Sequence, residues 1–258
     1  MHLKALQRQA FSCGNKNSFS TMGVCVPFDF IWFDLGYTLL YMDREKLFSE
    51  FAGGRGIHRS LEEIERGFHA IDKRLMREFP GLLGRSSEEF MPLYFGLLCD
   101  YLDIHGNLVD LLVDWMRAWR GSGLVWLAYP NVPEVLGQLS ARGLGLGVIS
   151  NWDPSAKPIL ASHRLLDRFD VVVISSEVGV SKPDERIFRI ATELAGVDPS
   201  RCLYVGDNYY DDAVGAASVG MKCLIVNRFG SFGVEELSGQ PLVNDISGIL
   251  PYLESVSA

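Results

Sequence analysis

The sequence has few cysteines, and they follow no recognisable pattern. Its 258 residues contain five of them, at Cys13, Cys25, Cys99, Cys202 and Cys223. An odd number of widely spaced cysteines without a CxxC pair is typical of reduced thiols. It argues against a disulfide framework and against a cysteine zinc site. We therefore expect a cytoplasmic location.

The sequence also lacks long apolar runs and clusters of basic residues. Its apolar stretches have the length of single strands and fall well short of a membrane span, so we expect no membrane partner. The chain has 24 Lys and Arg against 32 Asp and Glu, a net charge of -8, so we expect no nucleic-acid partner. A content of 48% hydrophobic and 22% charged residues is typical of a globular protein. No signal for an oligomeric state is present.

The first 28 residues differ from the rest in composition. They include Lys4, Arg8 and Lys16 but no acidic residue. This composition fits an organellar transit peptide, a flexible leader, or an extension upstream of a true start at Met22. The segment lacks the continuous apolar run of a secretory signal. We favour a flexible leader over residues 1–28.

Short apolar runs alternate with helical segments over much of the chain. Five runs read as strands buried on both faces: Phe30–Phe33, Leu144–Ile149, Val171–Ile174, Leu203–Val205 and Cys223–Val226. Helices are predicted between them over 133–142, 184–194 and 211–219, where Pro, Asp and Gly mark the ends. This alternation predicts an α/β protein with a doubly wound, mostly parallel, Rossmann-like sheet.

Between residues 43 and 128 the pattern is helical instead. Apolar residues step by three or four along one helix face, at Leu61, Ile64, Phe68, Ile71, Leu75 and Phe79. Further helices are predicted over 88–102 and 108–119. The sequence therefore predicts a helical insertion over 43–128 in an α/β core made of 29–42 and 129–258.

Four short polar segments directly follow predicted strands or lie between them. They are Asp34-Leu35-Gly36-Tyr37-Thr38, Ser150-Asn151, Lys182-Pro183, and Gly206-Asp207 with Asp211-Asp212. Loops at the carboxyl ends of parallel strands are where open α/β sheets place their chemistry. Together these loops offer carboxylates, hydroxyl and amide donors and one cation. This set of groups suits phosphoryl transfer with a divalent metal.

The order D-x-x-x-T, S-N, K-P and G-D-x-x-x-D-D resembles the haloacid dehalogenase-like hydrolase superfamily. The resemblance covers about Ile31–Phe229 and favours the branch with a helical cap inserted after the first motif. It implies a Mg²⁺-dependent phosphatase that hydrolyses a small phosphorylated metabolite through an aspartyl-phosphate intermediate. It also implies that the insertion over 43–128 is a cap that closes over the site and selects the substrate.

The resemblance assigns catalytic and phosphate-binding roles to five residues. Asp34 would be the nucleophile that carries the phosphoryl group. Thr38 and Ser150 would donate hydroxyl hydrogen bonds to the phosphoryl oxygens, and Asn151 would belong to the same phosphate-binding group. Lys182 would balance the charge of Asp34 and the phosphate.

The resemblance also implies a set of Mg²⁺ ligands. Asp34 and Asp207 would contribute carboxylates, with Asp212 acting directly or through water. Gly36 would contribute its backbone carbonyl. Asp211 either shares the metal role or caps the next helix.

Gly36 departs from the pattern of the family's phosphatases. There, an Asp two places after the nucleophile protonates the leaving group and then activates water, a role worth about 10²–10⁴-fold in rate. Three interpretations follow. The substrate has a leaving group that needs little protonation, such as an acyl or anomeric phosphate. A carboxylate of the cap or a water replaces the acid. Or the chain is a weakly active or inactive protein that binds a phosphorylated ligand.

Other functions on the same fold are weaker alternatives. A metal-free 2-haloacid dehalogenase also lacks that acid, but the retained Asp207 favours the metal-using branch. A phosphonate-cleaving relative uses a cap lysine; Lys46 and Lys73 lie in the insertion, where we expect them on solvated helix faces. Trp115, Trp119 and Trp126 are candidates to line the cleft, although aromatic residues at helical spacing are more often core.

Overall fold

Six parallel strands form the central sheet of the protein, which this computed structural model describes over residues 27–257. In chain order the strands are β1 (Phe30–Phe33), β2 (Leu40–Tyr41), β3 (Leu127–Ala128), β4 (Gly145–Ser150), β5 (Val171–Ile174), β6 (Cys202–Gly206), β7 (Lys222–Val226) and β8 (Leu242–Val243). The sheet order is β5-β4-β1-β6-β7-β8, and every neighbouring pair is parallel. The predicted doubly wound α/β fold is confirmed.

Helices cover both faces of the sheet and make up the insertion. They are α1 (Arg44–Gly53), α2 (Leu61–Glu78), α3 (Ser87–Tyr101), α4 (Leu108–Gly121), α5 (Val132–Ala141), α6 (Ala156–Ser162), α7 (Ser175–Val178), α8 (Glu185–Ala195), α9 (Val214–Ser218) and α10 (Ile249–Ser255). The predicted helix over 211–219 is instead a π-helical turn, Tyr209–Ala213, followed by α9. Asn208 causes this early start, because its side chain accepts from the amides of Tyr210 and Asp211.

The strands bury side chains on both faces of the sheet. Ile31 and Phe33 of β1 pack in one apolar cluster, whereas Phe30 and Trp32 pack in another on the opposite face. Neighbouring residues of a strand point to opposite faces, so a strand between two helical layers must be apolar throughout. This explains why the strand runs carry no polar alternation.

Helices α1 to α4 have an apolar cluster of their own. It includes Phe48, Phe68, Phe95 and Trp115, and it is separate from the two clusters of the sheet. The short strands β2 and β3 pair antiparallel and so bring the two ends of this helical segment together. A cap domain bounded at 43 and 128 stays a prediction.

Helix α2 packs against the loop that follows β7. His69 Nε2 lies 3.0 Å from the carbonyl of Phe232, to which it donates. Arg228 forms an ion pair with Glu65 at 3.0 Å. Gly233 comes so near that a Cβ there would lie 3.2 Å from the side chain of Lys73. These contacts hold α2 over the carboxyl edge of the sheet.

Two sequence predictions concern the ends and surroundings of the chain. The leader predicted over 1–28 lies outside the described residues, apart from Pro27 and Phe28. Within residues 27–257, none of the helices combines the length and the apolar character needed to cross a membrane. Cys99, Cys202 and Cys223 all carry free thiols.

Candidate active site

The predicted site residues gather at the carboxyl edge of the central strands. Asp34 follows β1, Ser150 ends β4, and Asp207 follows β6. Because the sheet places β4, β1 and β6 side by side, these three side chains share one edge. Lys182 reaches the same point from the loop between α7 and α8.

Asp34 is buried and is held by two donors. The Ser150 hydroxyl and the Lys182 ammonium each lie 2.8 Å from Asp34 Oδ1. Both hydrogen bonds fall on Oδ1, so Oδ2 is the oxygen left for attack on a substrate. A carboxylate fixed in this way is oriented before the substrate arrives, which is what an efficient nucleophile requires.

Lys182 bridges two carboxylates deep in the site. Besides Asp34 it donates to Asp212 Oδ1 at 2.6 Å and to the Tyr204 hydroxyl at 2.9 Å, with only 3% of its side chain exposed. Burial alone would lower the pKa of Lys182, but the carboxylates of Asp212 and Asp34 raise it overall. The ammonium therefore keeps its charge at physiological pH.

Asn151 holds the backbone of Lys182. Its side-chain oxygen accepts from the Lys182 amide at 2.7 Å, and its side-chain nitrogen donates to the Lys182 carbonyl at 3.0 Å. The amide of Trp152, the next residue, donates to Ser175 Oγ at 3.1 Å. The side chain of Asn151 thus positions Lys182, and its place in the phosphate-binding group stays a prediction.

Asp212 approaches the end of β6 very closely. Its Oδ2 accepts from the amide of Asn208 at 3.0 Å, and its side chain is fully buried. A Cβ at Gly206 would lie 2.1 Å from Asp212 Oδ2, a distance that no side chain tolerates. Only glycine at 206 therefore lets Asp212 reach Lys182.

Three carboxylates in the site fit a divalent cation. Asp34, Asp207 and Asp212 each offer an oxygen, and these oxygens lie within 4.8 Å of one another. Hard oxygen donors of this kind are what Mg²⁺ prefers. Gly36, whose carbonyl was predicted as a ligand, borders the same cavity as Asp34 and Asp207.

Lys73 of α2 reaches into the site, which the sequence analysis did not foresee. Its Nζ lies 3.1 Å from Asp207 Oδ2 and also donates to the Asp207 carbonyl, with 5% of the side chain exposed. The expectation of a solvated face was wrong for Lys73. The sequence signal was its spacing from His69 and Met76, which places all three on one buried stripe of α2.

The surroundings of Asp207 oppose its ionisation. Burial is the largest effect and raises the pKa of Asp207 to about 6. The nearby charges of Asp34 and Asp212 raise it further, whereas Lys73 lowers it. Lys73 therefore favours the charged form of this carboxylate.

Asp211 does not cap the helix that follows it. Its Oδ2 accepts from the Asn208 side chain at 2.9 Å, and the residue lies inside the π-helical turn that Asn208 begins. Among the described residues its Oδ1 has no hydrogen-bond partner. Burial, followed by the charge of Asp212, raises the pKa of Asp211 to about 7.

Thr38 borders a cavity that adjoins the one around Asp34. This cavity of about 290 Å³ is also bordered by Lys73 and Asp207, whereas Asp34 and Ser150 border a larger cavity of about 500 Å³. Within the described part of the chain, the buried Thr38 hydroxyl has no hydrogen-bond partner. A phosphate-binding role of Thr38 stays a prediction.

Two indole rings occupy the space beside Gly36. A Cβ at Gly36 would lie 3.4 Å from the ring of Trp152 and 3.6 Å from that of Trp126. Trp126 and Trp119 border the larger cavity as predicted, while Trp115 is buried in the cluster of the helical segment. Trp152 follows the S-N motif and was not predicted. Position 36, where the family's phosphatases carry the acid, is thus next to apolar rings.

Comparisons with known proteins agree with this arrangement. A family model described as "haloacid dehalogenase-like hydrolase" matches residues 28–220. The mouse (Mus musculus) "haloacid dehalogenase-like hydrolase domain-containing protein 3" is 34% identical over 237 residues, which cover 87% of this chain and 93% of that protein.

Shorter matches carry two different activities in their names. A "phosphoserine phosphatase" of Thermus thermophilus is 38% identical over 39% of this chain and 41% of its own length. An "(S)-2-haloacid dehalogenase" of Pseudomonas sp. strain YL is 36% identical over 44% of this chain and 48% of its own length. A magnesium-bound putative hydrolase from Bacillus subtilis shares the fold, with a TM-score of 0.58, 16% identity and coverage of 88% and 98%.

Proposed function

We propose, from the premise that this chain belongs to the haloacid dehalogenase-like hydrolase family, that it is a Mg²⁺-dependent phosphatase of a small phosphorylated substrate. The observation that carries the proposal is the state of Asp34. It is buried, and Ser150 and Lys182 fix its Oδ1 at 2.8 Å each. Relatives named as phosphatases give the proposal further support.

The proposed reaction has two displacements at phosphorus. Asp34 Oδ2 attacks the phosphorus atom, and the bond to the leaving oxygen breaks, which forms an aspartyl-phosphate. A water then displaces Asp34 from phosphorus and gives inorganic phosphate. The proton that this water loses balances the charge of the departed oxygen. Ser150 and Lys182 stabilise the charge that develops on the phosphoryl oxygens.

The residues of the site fit the metal that this reaction requires. Asp34, Asp207 and Asp212 would hold Mg²⁺, with the Gly36 carbonyl as a further ligand. When bound, the ion would supply positive charge to the phosphoryl oxygens. Asn151 supports the same chemistry indirectly, because it fixes the backbone from which Lys182 extends.

We further propose that residues 43–128 form a cap domain over this site. Two contacts of its helices support this role. Lys73 of α2 forms an ion pair with Asp207, and Trp119 of α4 borders the larger cavity. A closed cap excludes water from the phosphoryl group and selects the substrate. The free thiols of Cys99 and Cys202 agree with the proposed cytoplasmic location, which localisation of a tagged chain would test.

Metal-free 2-haloacid dehalogenation is the second candidate function. One observation favours it: Lys73 already supplies a cation to Asp207, the carboxylate on which the metal would depend. A halide also needs no proton on leaving, which agrees with Gly36. A phospho-ligand-binding protein with little turnover is the third candidate.

The proposal is tested by phosphate release from 4-nitrophenyl phosphate with and without Mg²⁺. We expect metal-dependent release that is abolished in Asp34→Asn and kept in the exposed control Asp100→Asn. Chloride release from 2-chloropropionate without metal would support the dehalogenase instead. If no product forms from either substrate while calorimetry detects phosphate binding, the binding protein is the better description.

A further inference from the structure

The strongest unassigned feature is the pair of indoles beside the nucleophile. Trp126 and Trp152 have ring centroids 4.7 Å apart, and both rings would be in van der Waals contact with a Cβ at Gly36. Both residues border the cavity that contains Asp34 and Ser150. The rings therefore border the site beside Gly36, two residues after the nucleophile.

Both tryptophans are held in place by contacts with neighbouring residues. The Trp126 carbonyl accepts from His163 Nε2 at 2.8 Å, and the Tyr37 ring meets the Trp126 ring edge-on at 5.6 Å. Trp152 Nε1 donates to Ser155 Oγ at 3.1 Å. Neither ring is fully buried, so each keeps part of its surface free. A platform that is ordered in advance loses little entropy when a ligand packs on it.

We propose that the leaving group of the substrate is an aromatic ring that packs on Trp126 and Trp152, so that the substrate is a small aryl phosphate monoester. This inference rests on the proposed phosphatase function. Two independent properties of Gly36 agree with it. The residue offers no acid, and it leaves the space beside the nucleophile to the two indoles.

The acidity of the leaving group supports an aryl ester. A phenol has a pKa of about 10, as in the side chain of tyrosine. An aliphatic alcohol is close to water, whose pKa is about 15.7. A phenolate therefore departs without the proton that Gly36 cannot donate, whereas an alkoxide needs that proton.

The position of the indoles also distinguishes an aryl ester from a nucleotide. The rings are next to Gly36, two places from Asp34, and so they meet the group bonded directly to phosphorus. In a nucleoside phosphate the ribose would occupy this place and the base would lie further away. The rest of the larger cavity is lined by apolar residues such as Leu83 and Phe90 and by charged ones such as Arg85 and Asp153, and its volume of about 500 Å³ accommodates a small aromatic ligand.

The first test measures binding without turnover. Phenylphosphonate and methylphosphonate, whose P–C bonds are not hydrolysed, are titrated into the wild-type chain with Mg²⁺, and the ratio of their Kd values is determined by calorimetry. We expect phenylphosphonate to bind at least tenfold more tightly. Trp126→Leu and Trp152→Leu should each reduce this ratio about two- to twelvefold. Phe79→Leu, at an exposed aromatic residue outside the cavity, should leave the ratio unchanged.

The second test measures turnover with matched leaving groups. Values of kcat/KM are compared for 2-naphthyl phosphate, phenyl phosphate and 2,2,2-trifluoroethyl phosphate, an alkyl ester with an acidified alcohol. We expect the two aryl esters to be preferred, and the preference to fall in Trp126→Leu and Trp152→Leu. Circular dichroism confirms that the variants are folded.

The outcomes separate this inference from the function on which it rests. Phosphate release with no preference for aryl over trifluoroethyl ester, and similar Kd values for the two phosphonates, would overturn the inference alone. No binding of either phosphonate and no phosphate release would overturn the phosphatase proposal itself, and the inference with it.

Discussion

Replacing Lys73 by methionine should destabilise the protein and at the same time strengthen its binding of Mg²⁺. Lys73 and Asp207 form an ion pair at 3.1 Å whose side chains are 5% and 9% exposed. Without the ammonium, Asp207 stands beside the carboxylates of Asp34 and Asp212. Removing one partner of a buried pair typically costs about 3–5 kcal/mol.

Protonation of Asp207 limits this loss. A pKa of about 6 means that ionised Asp207 already destabilises the wild-type protein by about 3 kcal/mol at pH 7, at about 1.4 kcal/mol per unit. If native Asp207 stayed neutral at pH 7, the protein would lose about 4 kcal/mol of stability relative to the unfolded chain, in which the carboxyl is ionised. The loss of Lys73 can therefore cost, through the charge of Asp207, only about 1 kcal/mol more than in the wild-type protein. The Asp207 carbonyl, left without its donor, adds about 1–3 kcal/mol. We expect a total of about 2–4 kcal/mol.

The pH dependence of this loss has a definite sign. Native Asp207 binds a proton that the unfolded chain has released, so stability falls as pH rises from about 4 to the native pKa. In the wild-type protein this fall ends near pH 6. In Lys73→Met the native pKa of Asp207 is higher, so stability continues to fall above pH 6. The curves of stability against pH for the wild-type protein and Lys73→Met should therefore separate above pH 6.

Urea unfolding at pH 5.5 and 7 measures the loss, and calorimetry measures the Mg²⁺ affinity. We expect at least tenfold tighter Mg²⁺ binding in Lys73→Met, because a positive charge no longer competes for Asp207. Lys46→Met, at an exposed lysine of α1, should change neither quantity. Equal stability and equal Mg²⁺ affinity of wild type and Lys73→Met would refute the reasoning.

Three further predictions concern other residues of the site and its surroundings. Gly206→Ala should lose phosphatase activity and about 1–3 kcal/mol of stability, because its Cβ displaces Asp212; an active, equally stable variant would contradict this. Burial lowers the pKa of His69 to about 4, so the native protein binds fewer protons and loses stability as pH falls from 6.5 towards 4. His69→Gln should therefore lose about 2 kcal/mol less than wild type between pH 7 and pH 5 in urea unfolding, and parallel losses would exclude this role. Gly36→Ala should keep its melting temperature, since its Cβ would only make ordinary contacts with the rings of Trp152 and Trp126. Gly36→Asp should bring no gain in activity, and a faster Gly36→Asp enzyme would show that the rings move aside for an acid.

The sheet was largely predictable because its strands are apolar throughout. β1 (Phe30–Phe33) and β5 (Val171–Ile174) have the predicted bounds, since each combines continuous apolar residues with clear flanking breaks. β8 (Leu242–Val243) was missed, because two residues carry no periodicity. The π-helical turn at Tyr209–Ala213 was also missed, since it depends on hydrogen bonds of one asparagine rather than on a repeating pattern.

The site was predictable where parallel topology alone brings residues together. Asp34, Ser150 and Asp207 meet because their strands are neighbours. The ion pair of Lys73 with Asp207 joins residues 134 positions apart, and no local pattern reports which face of α2 turns towards the sheet. The contact of Trp152 with Gly36 likewise depends on ring packing rather than on sequence spacing.

The pairing of Leu40–Tyr41 with Leu127–Ala128 makes the helical segment a side branch of the chain. The segment leaves and rejoins at adjacent points, so a different module inserted there would leave the order of the parallel strands unchanged. The segment can therefore change in length or sequence without altering the strand order that brings Asp34, Ser150 and Asp207 together. The contacts between α2 and the core, among them Lys73 with Asp207 and His69 with Phe232, would have to be inherited together with their partners or lost with them.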